Sequence, residues 1–209
     1  MLNQFVVGQQ NNASGSAPIT ARGGRQGDQI VSELHGRYYE QSVNRNMFSA
    51  VTLARATSLA ATAQVGFILF NPPGSGVDLV LNKYAIAVVA TSAACTGFTL
   101  AGGAQDITPT GLTAADFSGC TVIDKNTQTL GKGRAYALAT LVTAPVNQLL
   151  LGHNTAAINT VGANDQISGD FEGSVVVKPG GLIAICATGA AAAASAVNTS
   201  VMWEEVPTV

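Results

Sequence analysis

Charge is what this sequence has least of. Only 11% of its 209 residues are Asp, Glu, Lys or Arg, against about 25% in ordinary soluble domains. A net charge of −2 gives no bulk attraction to nucleic acid or to anionic lipid. Histidine occurs only as His35 and His153, which excludes the common multi-histidine metal sites. Aromatics make up 6%, and Trp203 is the one tryptophan. That is too few rings for a sugar platform, so Trp203 reads as core. Cys95, Cys120 and Cys186 are odd in number, widely spaced and set among small or apolar residues. They read as reduced, buried thiols in a protein made in the cytoplasm, not as a disulfide framework. No apolar run reaches the ~18 residues of a membrane span. The start, Met1 to Phe5, lacks the basic region of a secretory signal.

Signatures of catalysis are equally scarce. No Gly-x-Ser-x-Gly elbow is present, which weighs against a nucleophilic hydrolase. Gly131-Lys132-Gly133-Arg134 has a superficial likeness to a phosphate loop. It lacks the long glycine spacing and the Ser or Thr after Lys, so a solvated turn is expected. Asp165, Asp170 and Glu172 cluster near one another but without the spacing of a calcium loop. A polar turn before a strand is expected there. The sequence therefore sets no catalytic residue, no cofactor site and no metal site.

Hydrophobic residues, at 47%, are ample for a core. They come in short runs divided by turn residues. Val65 to Phe70 is β-prone, and Asn71-Pro72-Pro73-Gly74-Ser75-Gly76 breaks it. Val77, Leu79 and Leu81 then alternate with polar neighbours at the period of a strand. From Tyr84 to Val89 the run turns continuously apolar, as for a strand covered on both faces. The spacing predicts a hairpin over 65–89. A second is expected over 171–187, where Lys178-Pro179-Gly180-Gly181 has the Pro and Gly positions of a type II turn. Thr96 to Leu100, Thr121 to Asp124, Ala135 to Val142, Gln148 to Leu151 and Val197 to Val206 are further strand candidates. Gly111 to Phe117 and the alanine run from Ala190 to Ala194 read as loops, and Thr155 to Val161 fits neither state. Such spacing without a sustained helical period predicts an all-β chain with an antiparallel sandwich or barrel.

The first 28 residues are rich in Gln, Asn, Gly and Ser and show no apolar periodicity after Val7. They read as an extended arm. Residues 1–55 carry a balance of +2 and residues 56–209 one of −4. Residues 29–55 concentrate arginine and tyrosine, as interface cores do, and read as mainly extended with a strand near Phe48 to Leu53. The expected organisation is an arm and interface segment over 1–49 and a β-sandwich body over 50–209. Arg22, Arg25, Arg37, Tyr38, Tyr39 and Arg45 are the candidate partner-binding residues.

Three segments carry a resemblance. Glu33-Leu-His-Gly-Arg-Tyr-Tyr39, the turn Leu69-Phe-Asn-Pro-Pro-Gly-Ser-Gly76 with its following strand, and Met202-Trp-Glu-Glu-Val-Pro207 resemble segments of tailed-bacteriophage virion proteins. The nearest group is the capsid decoration, or cement, proteins. The resemblance implies a jelly-roll-like body, a homotrimer and a seat on the outer lattice of the major capsid protein. It implies no enzyme activity; the charge balance and the short apolar runs set neither nucleic acid nor membrane as an expected partner. The alternative is a fibre or tail-associated module that recognises a host surface glycan; the third reading is a polymer hydrolase.

Overall fold

A computed structural model describes residues 37–90, 97–126, 128–152, 166–189 and 196–208. The arm over 1–28, His35, Cys95, His153, residues 155–161 and the run Ala190 to Ala194 lie outside the described residues. The chain divides into two units, Met1–Tyr39 and Glu40–Val209. A five-residue helix, α1 (Tyr39–Val43), falls where the sequence predicts extended chain. The sandwich begins a few residues later.

Eleven strands follow among the described residues. They are β1 (Met47–Ala56), β2 (Ala63–Phe70), β3 (Val77–Ala90), β4 (Phe98–Ala104), β5 (Thr110–Ala114), β6 (Phe117–Cys120), β7 (Arg134–Thr140), β8 (Val146–Gly152), β9 (Gln166–Val177), β10 (Gly181–Ala187) and β11 (Ala196–Pro207). They form two antiparallel sheets, ordered β6-β1-β11-β3-β9 and β5-β7-β2-β10-β4-β8. The all-β sandwich expected from the turn spacing is what the chain forms.

Without β5, β6 and β7, the sheets reduce to β1-β11-β3-β9 and β2-β10-β4-β8. Chain order then crosses from sheet to sheet at almost every step, and only β4 to β8 stays within one sheet. That is the wrapping of an eight-stranded jelly roll. The segment between β4 and β8 is an insertion. It adds β7 and β5 outside β2, and β6 outside β1.

This topology corrects the two predicted hairpins. β2 and β3 lie in different sheets, and so do β9 and β10. Each turn arches across the sandwich. The type II turn is present as expected: the Gly181 N–H donates to the Lys178 carbonyl at 2.8 Å, with Gly180 at φ 81. Turn chemistry fixes a chain reversal; it does not make the two flanking strands pair.

The two arches are tied together by Asn71, which is fully buried. Its backbone N–H donates to the Gly181 carbonyl at 2.9 Å, and its carbonyl accepts from the Gly180 N–H at 2.8 Å. Its side-chain Nδ2 donates to the carbonyls of Val77 and Val177, both at 2.8 Å. One residue thus joins the end of β2 and the start of β10, in one sheet, through its backbone, to the start of β3 and the end of β9, in the other, through its side chain.

Between the sheets lies the main core. Phe48, Phe67, Leu69, Leu81, Ile183 and Trp203 are among its members. Trp203 is core, as expected, and stacks on Phe48 with ring centroids 6.1 Å apart. Neighbouring residues on β2 and β10 point the other way. Ile68, Phe70, Leu182, Ala184 and Cys186 form a second buried cluster, against which Ala60 and Tyr136 pack. So β2 and β10 are covered on both faces. The run from Tyr84 to Val89 is not, because Ala85 and Ala87 are half-buried and Val89 is exposed.

Candidate functional site

The strand expected over Thr121 to Asp124 is loop instead, and the region predicted as loop, from Gly111 to Phe117, supplies β5. Several apolar side chains of the insertion face solvent. Ile123 is 93% exposed, on the loop between β6 and β7. The loop has an anchor beside it: Asp124 accepts from the Arg45 guanidinium and from the Asn126 N–H. The Asn126 N–H, then Arg45, hold the Asp124 carboxyl below the usual range. Ile107, Leu130 and Val142 are further exposed apolar side chains of the same insertion.

At the far end of that loop, Gly131 to Arg134 does more than make a solvated turn. The N–H groups of Lys132 and Gly133 both donate to the Glu205 carboxylate at 2.8 Å. The Trp203 indole N–H also points to it, at 3.4 Å. Successive backbone N–H groups make an anion nest, and here the chain's own carboxylate fills it. A Cβ on Gly131 would lie 2.2 Å from Glu205 Oε1, so the nest needs glycine there. A sequence signal did exist. Val197, Thr199, Val201 and Trp203 point inward at a period of two, and Glu205 falls on the same period.

The five-stranded sheet bears a depression of about 690 Å³ on its outer face. Ser49, Lys83, Ala85, Ser168, Asp170 and Ser200 line it. The small side chains leave the hollow, and Lys83 and Asp170 pair across it at 3.4 Å. Beneath it, Tyr84 turns inward, donating to the Leu151 carbonyl at 3.0 Å and packing on Phe171. Burial raises the Tyr84 phenol.

Of the predicted contact residues, Arg37, Tyr38 and Tyr39 belong to the first unit and Arg45 to the second. Arg22 and Arg25 lie outside the described residues. The Arg37 guanidinium sits over the Tyr38 ring, 5.6 Å from its centre, and Tyr39 is exposed on α1. Arg45 belongs to the body and holds Asp124. Of the expected acidic cluster, Asp165 lies outside the described residues. Asp170 and Glu172 sit within β9, not in a turn before it. Among the described residues no group of three or more His, Cys, Asp or Glu could hold a metal, and no helix is long and apolar enough to cross a membrane. Cys120 and Cys186 are free and buried. Burial pushes the Cys186 thiol up to about 11, against a smaller lowering by the Gln64 amide.

Comparison with known protein families, with curated proteins and with solved structures finds no match.

Proposed function

We propose that this chain is a non-enzymatic structural protein of a tailed-bacteriophage virion, a decoration or cement protein that binds the outer capsid lattice and stabilises the head. The observation that carries the reading is a jelly roll whose insertion holds its apolar side chains out to solvent. Jelly rolls recur in viral capsid proteins, so the support from the fold is by analogy and not by site chemistry.

The mechanism is burial of surface between subunits. Burying a side chain such as Ile123 is worth about 1.5–3 kcal/mol, and central apolar and aromatic anchors dominate interface energies. The partners are the major capsid protein and further copies of the chain, with three copies as the number the resemblance sets. Arg22, Arg25, Arg37, Tyr38 and Tyr39 extend the contact along the arm. Arg45 acts indirectly, by holding the loop that presents Ile123. The protein is made in the host cytoplasm and ends on the capsid surface.

Cosedimentation of the purified chain with emptied capsids tests this. Saturable binding that Ile123→Asp weakens is the expected result. Absence of binding to capsids, with the chain folded, refutes it.

One observation favours a second reading, a fibre or tail-associated module for a host glycan. The depression around Ser49, Lys83, Asp170 and Ser200 offers hydroxyl, ammonium and carboxylate groups to a polar ligand. Its lining has no outward-facing aromatic ring to stack a sugar, which ranks this reading second. Binding on a glycan array, abolished by Asp170→Ala, would reverse the ranking.

A further inference from the structure

Asp116 and Asp124 pair with Arg55 and Arg45, and Glu205 fills its nest. On the outer face of the five-stranded sheet, Asp78 pairs with Lys178 and Asp170 with Lys83. Glu204 lies on that same face, because Trp203 and Glu205 on either side of it point inward. It is half-buried. Among the described residues no basic side chain and no hydrogen-bond donor meets its carboxylate. Burial is the one cause acting on that carboxyl, and it raises it above the usual glutamate range. A fold gains nothing from a half-buried charge that it leaves without a partner, and such groups mark candidate functional places.

The strand register shows what surrounds it. Glu204 lies opposite Met47 of β1 and Val80 of β3, and Val80 lies opposite Val176 of β9. On its other side, the Met47 carbonyl accepts from the Thr121 N–H at 3.0 Å. One row therefore crosses the sheet from Thr121, where the insertion loop begins, through Glu204 to the β9 edge. Two strand spacings, about 10 Å, separate Glu204 from Thr121, and Ile123 is two residues further along that loop. Val176 is 44% exposed, and Val206, the next outward residue of β11, is 37% exposed. A partner that covers Ile123 thus comes within reach of an unpaired carboxylate with an apolar rim.

We propose that Glu204 with its apolar rim is part of the capsid-binding surface, and that a basic side chain of the major capsid protein docks on it. The inference rests on the capsid reading and names the partner chemistry at that surface. Charge complementarity selects the occupant. A carboxylate stripped of part of its water, and given no cation by its own fold, fits a cation set in apolar surroundings. Arginine suits it best, because the guanidinium takes a carboxylate bidentately and is weakly hydrated. A neutral glycan leaves the charge uncompensated, and an anionic surface is repelled. The free chain should carry the mark of this arrangement. The carboxyl lies above its unfolded value, so it costs the fold stability while ionised. That cost is full above the raised value and gone below the unfolded one. A carboxylate held for the fold's own sake, such as Asp116, has the opposite sign.

The test sets the full wild-type chain beside Glu204→Gln and Glu204→Lys at neutral pH. Thermal melts read the free chains, and cosedimentation with emptied capsids reads binding. The expected result is a Gln variant that melts at or above wild type and yet binds capsids roughly tenfold more weakly. The Lys variant binds more weakly still, because it sets like charges against each other. If circular dichroism shows the Lys variant misfolded, the Gln variant decides alone. A Gln variant that melts below wild type shows that the carboxylate serves the fold, and overturns the proposal. Wild type and a folded Gln variant that bind capsids equally overturn it and leave the capsid reading standing. A folded wild-type chain that does not bind capsids refutes the capsid reading and this inference with it. A Gln variant that loses self-association, by light scattering, while capsid binding is unchanged puts the cation on another copy of the chain and overturns the capsid protein as occupant.

Discussion

Replacing Asn71 with alanine separates the two arches of the sandwich at a single amide. The variant loses two side-chain hydrogen bonds of 2.8 Å and leaves the carbonyls of Val77 and Val177 without that donor. Its Oδ1 has no partner, so nothing is lost on that side. Each neutral bond is worth about 1 kcal/mol net, and a buried group left unpaired costs about 1–3 kcal/mol. The sum for this site is about 2–5 kcal/mol, which for a body of this size lowers Tm by about 5–15 °C. Asn71→Asp is the sharper probe because it keeps the shape. At neutral pH it aims a carboxylate at two carbonyl oxygens inside the fold, so it costs more than alanine. Thermal melts and urea titrations of both variants, with circular dichroism to verify the native fold, give the numbers. If both variants fall within about 0.5 kcal/mol of wild type, the amide is not the tie between the arches.

The nest offers a second test of the same kind. Glu205→Ala strands the N–H groups of Lys132 and Gly133 and costs about 2–4 kcal/mol, while Gly131→Ala destabilises by crowding Glu205 Oε1; equal melts for wild type and both variants would contradict this. Asp116 accepts from the Leu53 N–H at 2.6 Å and from Arg55 at 3.0 Å, and these, the Leu53 bond first, hold its carboxyl below the ordinary range. Its contribution is therefore full above the unfolded value near pH 4 and fades as pH falls through the lower folded value. The stability gap between wild type and Asp116→Asn should close on acidification in pH-dependent urea melts, and a gap that widens in acid refutes the assignment. Cys186, with its thiol pushed up to about 11, should resist alkylation at pH 8 in the native chain and react in denaturant, as peptide mapping by mass spectrometry can show.

Much of the body was legible because turns and strands leave local marks. Proline and glycine at Lys178 to Gly181 predicted the turn, and the period of two around Val201 and Trp203 predicted β11. What was not legible is which strands share a sheet. Val65 to Phe70 and Leu182 to Cys186 read as apolar runs, but a run does not name its neighbours. The ladders of β2 and β10 are set by contacts with each other and with β7 and β4. The apolar run at Tyr84 to Val89 misled because alanine counts as apolar yet tolerates a half-exposed face. Gly131 to Arg134 lacked a phosphate-loop spacing, and its anion is Glu205, 72 residues from Gly133 in sequence. The exposed Ile123 and the unpaired Glu204 gave no motif at all; their meaning depends on which surface the fold leaves open.

The most direct measurement of the central claim is a low-resolution density map of the virion that carries this chain. The account predicts repeated density on the outer capsid lattice into which the two-sheet body fits, with the insertion loop bearing Ile123 turned toward the shell. Density for the body only at the tail or a fibre tip, over a bare capsid, would contradict it.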